Sequence, residues 1–385
     1  MPNIFLSPSK IMSGNGSLEA SAEEFKAMGK KALIVSDSMM KKLGNIKKVE
    51  SVLKNAGVSY SIYAEVNSEP TDVIVENGVK QYKKENCDFL VALGGGSPID
   101  TMKAIGMLAT CGGALADYLH KTVAEKLPNM AAIPTTAGTG SEATQFTIIT
   151  DTKTEVKMLL KGPALIPSFA VIDPQFTMTA PPKVTAATGI DALCHAVESY
   201  TSKKAQPMSD TFALSAANRI FKNLLKAYTT PDDINAREQM SLAATEAGIA
   251  FNNSSVTIVH GMSRPIGALF HVPHGLSNAM LLNTCLKFIV SGAVERFADI
   301  ARYCGMCGEN APDGDAANIL IDKISGLLKD LNIPTIKEYG IDKAVFDKNI
   351  HKMADDAFAS GSPSNTRKKV NAEDMEMLYK QLWSE

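Results

Sequence analysis

Pro181-Pro182 separates two hydrophobic rhythms in this chain. Before it, short apolar runs alternate with helically spaced apolar residues. Lys31–Val35 reads as a buried strand, and Ile46, Val49, Val52, Leu53 and Ala56 follow at helical spacing. Ser59–Tyr63 is the next candidate strand, with a helix from Thr71 to near Glu85. Phe89–Leu93, Met130–Ile133 and Phe169–Ile172 complete the set of strands. Strand and helix in alternation predict a parallel, doubly wound sheet with helices on both faces.

Beyond the prolines, β-branched runs almost vanish and long amphipathic patterns replace them. Met208, Phe212, Ala216, Ile220, Leu224 and Tyr228 form one, and Ile319, Ile321, Ile324, Leu327 and Leu328 another. The reading is an α/β domain over residues 1–182 and an all-helical domain over 183–385, with Ser360–Asn365 as a loop. A chain of 385 residues suits two domains. Its formal net charge of −2 supplies none of the basic field that nucleic acid or a membrane surface requires. No apolar run approaches the ~18 residues of a spanning helix, and no secretory signal is expected at the N-terminus. Six cysteines are too sparse for a disulfide scaffold, so a cytoplasmic protein is expected.

Leu93-Gly94-Gly95-Gly96-Ser97-Pro98-Ile99-Asp100 carries the most chemistry in the first half. A buried strand runs into glycines that let the backbone approach a ligand without Cβ clashes. Ser97 suits an N-cap, Pro98 the first helical position and Asp100 the reciprocal capping position. Free N–H groups and the helix dipole at such a junction bind anions. The segment is not the GxGxxG fingerprint, and a ligand-free strand-to-helix turn has the same composition. Ile133–Glu142, rich in Thr, Gly and Ser, is a second loop leaving a strand. Loops leaving the strand ends of an open parallel sheet converge on one crevice. Asp37, just past the first strand, is placed either to cap a helix or to receive the adenosine ribose hydroxyls and repel a 2′-phosphate.

Three of the six histidines lie in the short stretch His260–His274. Upstream, Asp191 and His195 are four apart and share a helical face. One carboxylate and three imidazoles suit Fe(II), Zn(II) or Mn(II). Cys194 points off that face. Cys304-Gly-Met-Cys307 has redox-motif spacing but lies in helical sequence, and Cys87, Cys111 and Cys285 read as fill.

Gly94–Asp100, Ile133–Glu142, Ala186–Glu198 and His260 through Pro273-His274-Gly275 together resemble the iron-containing (group III) alcohol dehydrogenases, in order, from Lys31 to about Arg367. The resemblance implies a Rossmann-like N-terminal domain, a helical C-terminal domain of dehydroquinate synthase-like architecture, and a cleft for NAD(P) and a divalent metal. It places metal ligands at Asp191, His195, His260 and His274, and the pyrophosphate loop at Gly94, Gly95, Gly96 and Ser97. Further cofactor contacts fall on Thr135, Thr136, Thr144 and Lys157, with Asp37 reading the ribose in favour of NAD(H). Phe146 and Phe251 fall on the substrate pocket or, equally, in the core. The implied activity is hydride transfer between nicotinamide and a small aldehyde or primary alcohol, with Fe(II), or alternatively Zn(II), as Lewis acid. A homodimer or larger homo-oligomer is implied as well.

The rival readings are a zinc-using relative of the dehydroquinate synthase or glycerol dehydrogenase type and a non-catalytic nucleotide-binding protein of the same fold. One position departs from the family pattern. Where many members carry a histidine thought to relay the substrate proton, this chain has Arg264, which cannot accept a proton at ordinary pH. His271 or ordered water is then left for proton exchange. Arg264 either faces an internal carboxylate or solvent, or anchors an aldehyde that bears a sulfonate, carboxylate or phosphate.

Overall fold

The computed structural model describes residues 2–383. It divides into two compact units, Leu6–Ala180 and the chain from Pro181 onward, with the segment up to Phe5 grouped with the second.

The first unit is built on the strands β1 (Lys10–Ser13), β2 (Lys31–Val35), β3 (Ser59–Tyr63), β4 (Phe89–Gly94), β5 (Asn129–Pro134), β6 (Phe146–Thr150), β7 (Lys157–Lys161) and β8 (Phe169–Ile172). Helices α1 (Ser17–Ala20) and α2 (Ala22–Met28) follow β1, and α3 (Ser38–Lys42) and α4 (Asn45–Asn55) follow β2. After β3 comes α5 (Asp72–Lys84), and after β4 comes α6 (Gly96–Cys111). Six strands form a wholly parallel sheet in the order β1-β8-β5-β4-β2-β3. Alternate side chains of the central strands enter two separate cores. Ile34, Val91, Leu93 and Ile133 pack with Ile46, Val49 and Leu53 of α4. Leu33, Val35, Leu90 and Ala92 pack with Val75 and Tyr82 of α5 and Met102 and Ile105 of α6. Burial on both faces is why these strands read as continuous apolar runs.

Two elements escaped the sequence pattern. β1 is a mostly exposed edge strand, and β6 and β7 form an antiparallel hairpin outside the main sheet. The start of α6 also differs from expectation. Gly95 is its N-cap and the helix opens at Gly96, so Ser97 and Pro98 lie inside the first turn and no side chain caps it. Asp100 therefore makes no capping box.

The second unit is helical: α7 (Pro182–Thr201), α8 (Pro207–Thr229), α9 (Ile234–Asn253), α10 (Ile258–Phe270), α11 (His274–Ile289), α12 (Val294–Tyr303), α13 (Asp313–Asp330), α14 (Ile336–Tyr339), α15 (Lys343–Ala359) and α16 (Ala372–Gln381). α8 and α13 cover the two amphipathic patterns seen in the sequence. α7 is buried without a break from Gly189 to Thr201 and packs against α8, α9 and α11. Residues 2–5 join this unit through the Ile4 carbonyl, which accepts a 3.0 Å bond from Gln206, and through Phe5, which stacks on Phe212. Among the described residues, no helix is long and apolar enough to cross a membrane.

Candidate functional site

The sheet order makes a switch point. From β2 the chain moves outward to β3, then returns to lay β4 on the other side of β2. Ligands of open parallel sheets bind beyond the strand ends at such a point. Asp37 follows the end of β2, Gly94–Ser97 follow β4, and Thr135 and Thr136 follow β5, so three adjoining strands deliver the expected cofactor residues to one edge. Ser36 Oγ donates to the Leu93 carbonyl at 2.7 Å and Thr135 N to the Gly94 carbonyl at 3.0 Å, which ties these ends together. Gly94 has φ 158°, and a Cβ there would stand 2.4 Å from Pro98 Cγ. Only glycine fits that approach. The uncapped start of α6 leaves its backbone N–H groups open to an anion.

Asp37 is an N-cap, its Oδ1 accepting from Met40 N at 2.9 Å. Lys157, on β7, is ion-paired with Glu69 at 2.7 Å. Thr144 is buried, and its hydroxyl meets the ammonium of Lys103 at 3.1 Å.

Lys103 is among the residues that sequence reasoning missed. It is fully buried on α6 and donates to Ser141 Oγ, the Thr144 carbonyl and hydroxyl, and the Phe146 carbonyl at 2.8–3.1 Å. Burial pushes its pKa down to about 8, against the opposing field of Asp100 and Glu142. Asp100 accepts from Ser141 Oγ at 2.5 Å and Ile148 N at 2.9 Å. The helix that carries the glycine loop is thereby bolted to the segment 141–148.

In the helical unit, Asp191, His195 and His260 bring three ligand atoms within 4.8 Å of one another, all buried. His195 Nε2 and His260 Nε2 are 2.9 Å apart, and Asp191 Oδ1 is 3.6 Å from His260 Nε2 and 3.8 Å from His274 Nε2. Such spacings are near the ~3 Å separation of neighbouring donors on an ion with ~2.1 Å bonds. One carboxylate and three imidazoles fit a borderline divalent ion. His274 is the most exposed of the four.

The surroundings orient these groups. His260 Nδ1 donates to Glu198, which is fully buried and also accepts from Thr257 Oγ1 at 2.6 Å and Val259 N at 2.7 Å. This fixes the His260 tautomer so that Nε2 turns toward Asp191 and His195. Asn278 Nδ2 donates to Asp191 Oδ1 at 2.7 Å and lies 3.1 Å from His260 Nε2 and 3.3 Å from His274 Nε2. Phe251, expected in the substrate pocket, stacks on His195 with ring centroids 4.3 Å apart, and His195 Nδ1 has no hydrogen-bond partner. Stacking sets the plane of that imidazole.

Burial would raise the Asp191 carboxyl, but the imidazoles of His195, His274 and His260 outweigh it and hold it ionised. Burial drives His195 down to about 3. It acts the same way on His260, where Glu198 and Asp191 prevail and lift the value to about 9. Without metal, His260 is therefore an imidazolium at neutral pH, with Nδ1–H on Glu198 and Nε2–H facing His195.

Two further residues of interest belong to α10, the helix that carries His260. His271 ends α10 in the left-handed conformation, φ 53°, exposed and without a hydrogen bond among the described residues. Arg264 lies one turn after His260 on α10, half-buried. Phe146 opens β6, in the other unit.

Fold and site define an α/β protein with a helical second unit that carries a candidate metal centre. Residues 8–174 match the family of iron-containing alcohol dehydrogenases, and residues 185–383 match the C-terminal domain of the same family. The chain belongs to that family and is an alcohol/aldehyde oxidoreductase, which removes the non-catalytic reading. It is 36% identical over 384 residues to 1,3-propanediol dehydrogenase of Citrobacter freundii, covering 98% of each chain. A crystal structure of 1,3-propanediol oxidoreductase superposes with TM-score 0.95 at 34% identity, covering 99% of this chain and 100% of that one. Sulfoacetaldehyde reductase from Bifidobacterium kashiwanohense, solved with NAD+, superposes with TM-score 0.89 at 27% identity, covering 100% of this chain and 99% of that one.

Proposed function

We propose that the chain interconverts a small aldehyde and its primary alcohol, using NAD(H) and a divalent metal held by Asp191, His195, His260 and His274. The observation that carries this reading is the convergence of the Asp191, His195 and His260 ligand atoms in front of the buried Glu198 carboxylate. Fe(II) is the ion proposed, with Zn(II) as the alternative. When bound, the ion supplies Lewis acidity to the substrate oxygen.

The chain supplies the rest. Glu198 keeps His260 in the ligating tautomer, and Asn278 holds the Asp191 carboxylate. Gly94, Gly95, Gly96 and Ser97, with the open N–H groups of α6, receive the pyrophosphate. Thr135, Thr136, Thr144 and Lys157 add contacts along the dinucleotide. Asp37 receives the adenosine ribose with the carboxylate oxygen not used in its cap. His271 exchanges the substrate proton with solvent, and Phe251, stacked on His195, borders the substrate. The relatives' names span a neutral diol and a sulfonated aldehyde, so family membership leaves the substrate open. A cytoplasmic homo-oligomer completes the reading, and light scattering measures its size.

The test is purified protein loaded anaerobically with Fe(II) and assayed for NADH oxidation with propanal. Turnover that is lost in His260→Ala, along with bound metal, while NADH binding persists, supports the reading. Full activity in that variant refutes the metal assignment.

A further inference from the structure

Arg264 is the only Asp, Glu, Lys or Arg between Glu246 and Lys287. It stands on α10 four residues after His260, which places both on one face of the helix. Its surroundings are buried enough to lower its pKa, and the opposing influence on it is the field of Glu198. Glu198 is not its partner. Both carboxylate oxygens are already committed, one to His260 Nδ1 and the other to Thr257 Oγ1 and Val259 N. Arg264 makes no hydrogen bond or ion pair among the described residues, although a guanidinium offers five N–H donors.

A guanidinium held partly out of water with no partner in the chain is unusual, since folds normally answer such a charge with an internal carboxylate. Here the side chain keeps partial exposure one turn from a proposed metal ligand. A partner that arrives with the substrate resolves both observations. We propose that Arg264 is the specificity residue for a substrate oxyanion: the preferred substrate is a small aldehyde whose far end carries a sulfonate or carboxylate, gripped by the guanidinium fork. This rests on the aldehyde/alcohol reading above. A planar fork with parallel N–H groups matches a two-oxygen acceptor and favours it over a neutral hydroxyl or methyl terminus.

The experiment compares sulfoacetaldehyde, succinic semialdehyde and propanal as substrates for the Fe(II)-loaded enzyme with NADH. Wild type should favour at least one of the anionic aldehydes over propanal by tenfold or more in kcat/KM. Arg264→Leu should raise KM for that substrate about 10- to 100-fold, the worth of a charged hydrogen-bonded contact, and change propanal less than threefold. Arg264→Lys should recover part of the loss, because it restores charge without the fork. Ethanesulfonate, an unreactive anion, should inhibit propanal reduction competitively in wild type, a readout that needs no variant to fold. Propanal preferred by wild type, or equal losses on all substrates in Arg264→Leu, overturns the proposal and leaves the underlying activity standing. No NADH-linked turnover of any of the three aldehydes refutes the underlying activity instead.

Discussion

Glu198→Gln isolates the contribution of a carboxylate that touches no substrate. Glu198 Oε1 accepts from Thr257 Oγ1 at 2.6 Å and Val259 N at 2.7 Å, and the other oxygen receives His260 Nδ1–H. Glutamine keeps the shape. Its carbonyl oxygen can satisfy Thr257 and Val259, which mark the start of α10, and this turns the amide N–H groups toward His260 Nδ1. Two donors then face each other. His260 can relieve the clash only by shifting its proton to Nε2, the nitrogen that points at Asp191 and His195. A metal must then displace a proton from the less favourable tautomer, and the negative charge behind the ring is gone. Loss of an outer partner of this kind costs 10- to 100-fold in metal affinity, about 1.4–2.7 kcal/mol. The assay is competition between metal-free protein and a chromophoric chelator for Zn(II), read at a constant pH above about 9, where wild-type His260 is neutral, with circular dichroism to confirm that the helices persist. A dissociation constant within twofold of wild type would refute the tautomer argument.

Metal affinity should also depend on pH in a defined direction. His260 is lifted to about 9, so below that pH the ion must displace its proton, and apparent affinity should rise about tenfold per pH unit toward 9 and then flatten. The same shift stabilises the metal-free fold: the contribution is complete below the unfolded value of 6.5 and is lost as pH rises through about 9, which denaturant titrations at pH 6 and 9.5 would detect. Gly275→Ala should weaken metal binding with little loss of helix, because its Cβ would stand 2.8 Å from the Ala187 carbonyl and 3.3 Å from Asp191 Cβ, forcing α11 and His274 away from α7; metal content after dialysis reads this, and unchanged content refutes it. Asp37→Ser keeps a helix cap but removes the charge, so use of NADPH relative to NADH should rise while thermal stability stays within about 1 kcal/mol; an unmoved cofactor ratio would show that Asp37 is not the selector.

Legibility in the sequence followed local rules. The strands β2, β4, β5 and β8 were readable because burial on both faces leaves them almost wholly apolar. β1, with its exposed Lys10 and Ile11, and the hairpin strand β6, where Ile148 faces out beside buried Thr147 and Ile149, lack that signature. Ser97-Pro98 imitates a helix start, but the glycine loop winds directly into α6 and leaves the first turn uncapped. Asp191 and His195 were found by their four-residue spacing. The same spacing runs from His274 to Asn278, and Glu198 lies two turns from Asp191 on that face, so both supporting residues carried a readable signal.

Lys103 shows where a different rule is needed. It is the sole charge between Asp100 and Asp117, an anomaly in a stretch that otherwise reads as core. The structure explains it by four acceptors gathered from the segment 141–146, contacts far apart in sequence that no periodicity encodes. Glu198, equally buried, gathers three donors. Arg264 is the same kind of anomaly in sequence, an isolated charge in an apolar helix, yet it gathers none. A fold able to surround a lysine with four oxygens does not lack the means to pair an arginine. The physical distinction is therefore between charges whose partners are built into the chain, which fix loops and tautomers, and a charge whose partner comes with the ligand. Replacing the first kind should cost stability or metal affinity on every substrate. Replacing Arg264 should cost recognition of one class of substrate.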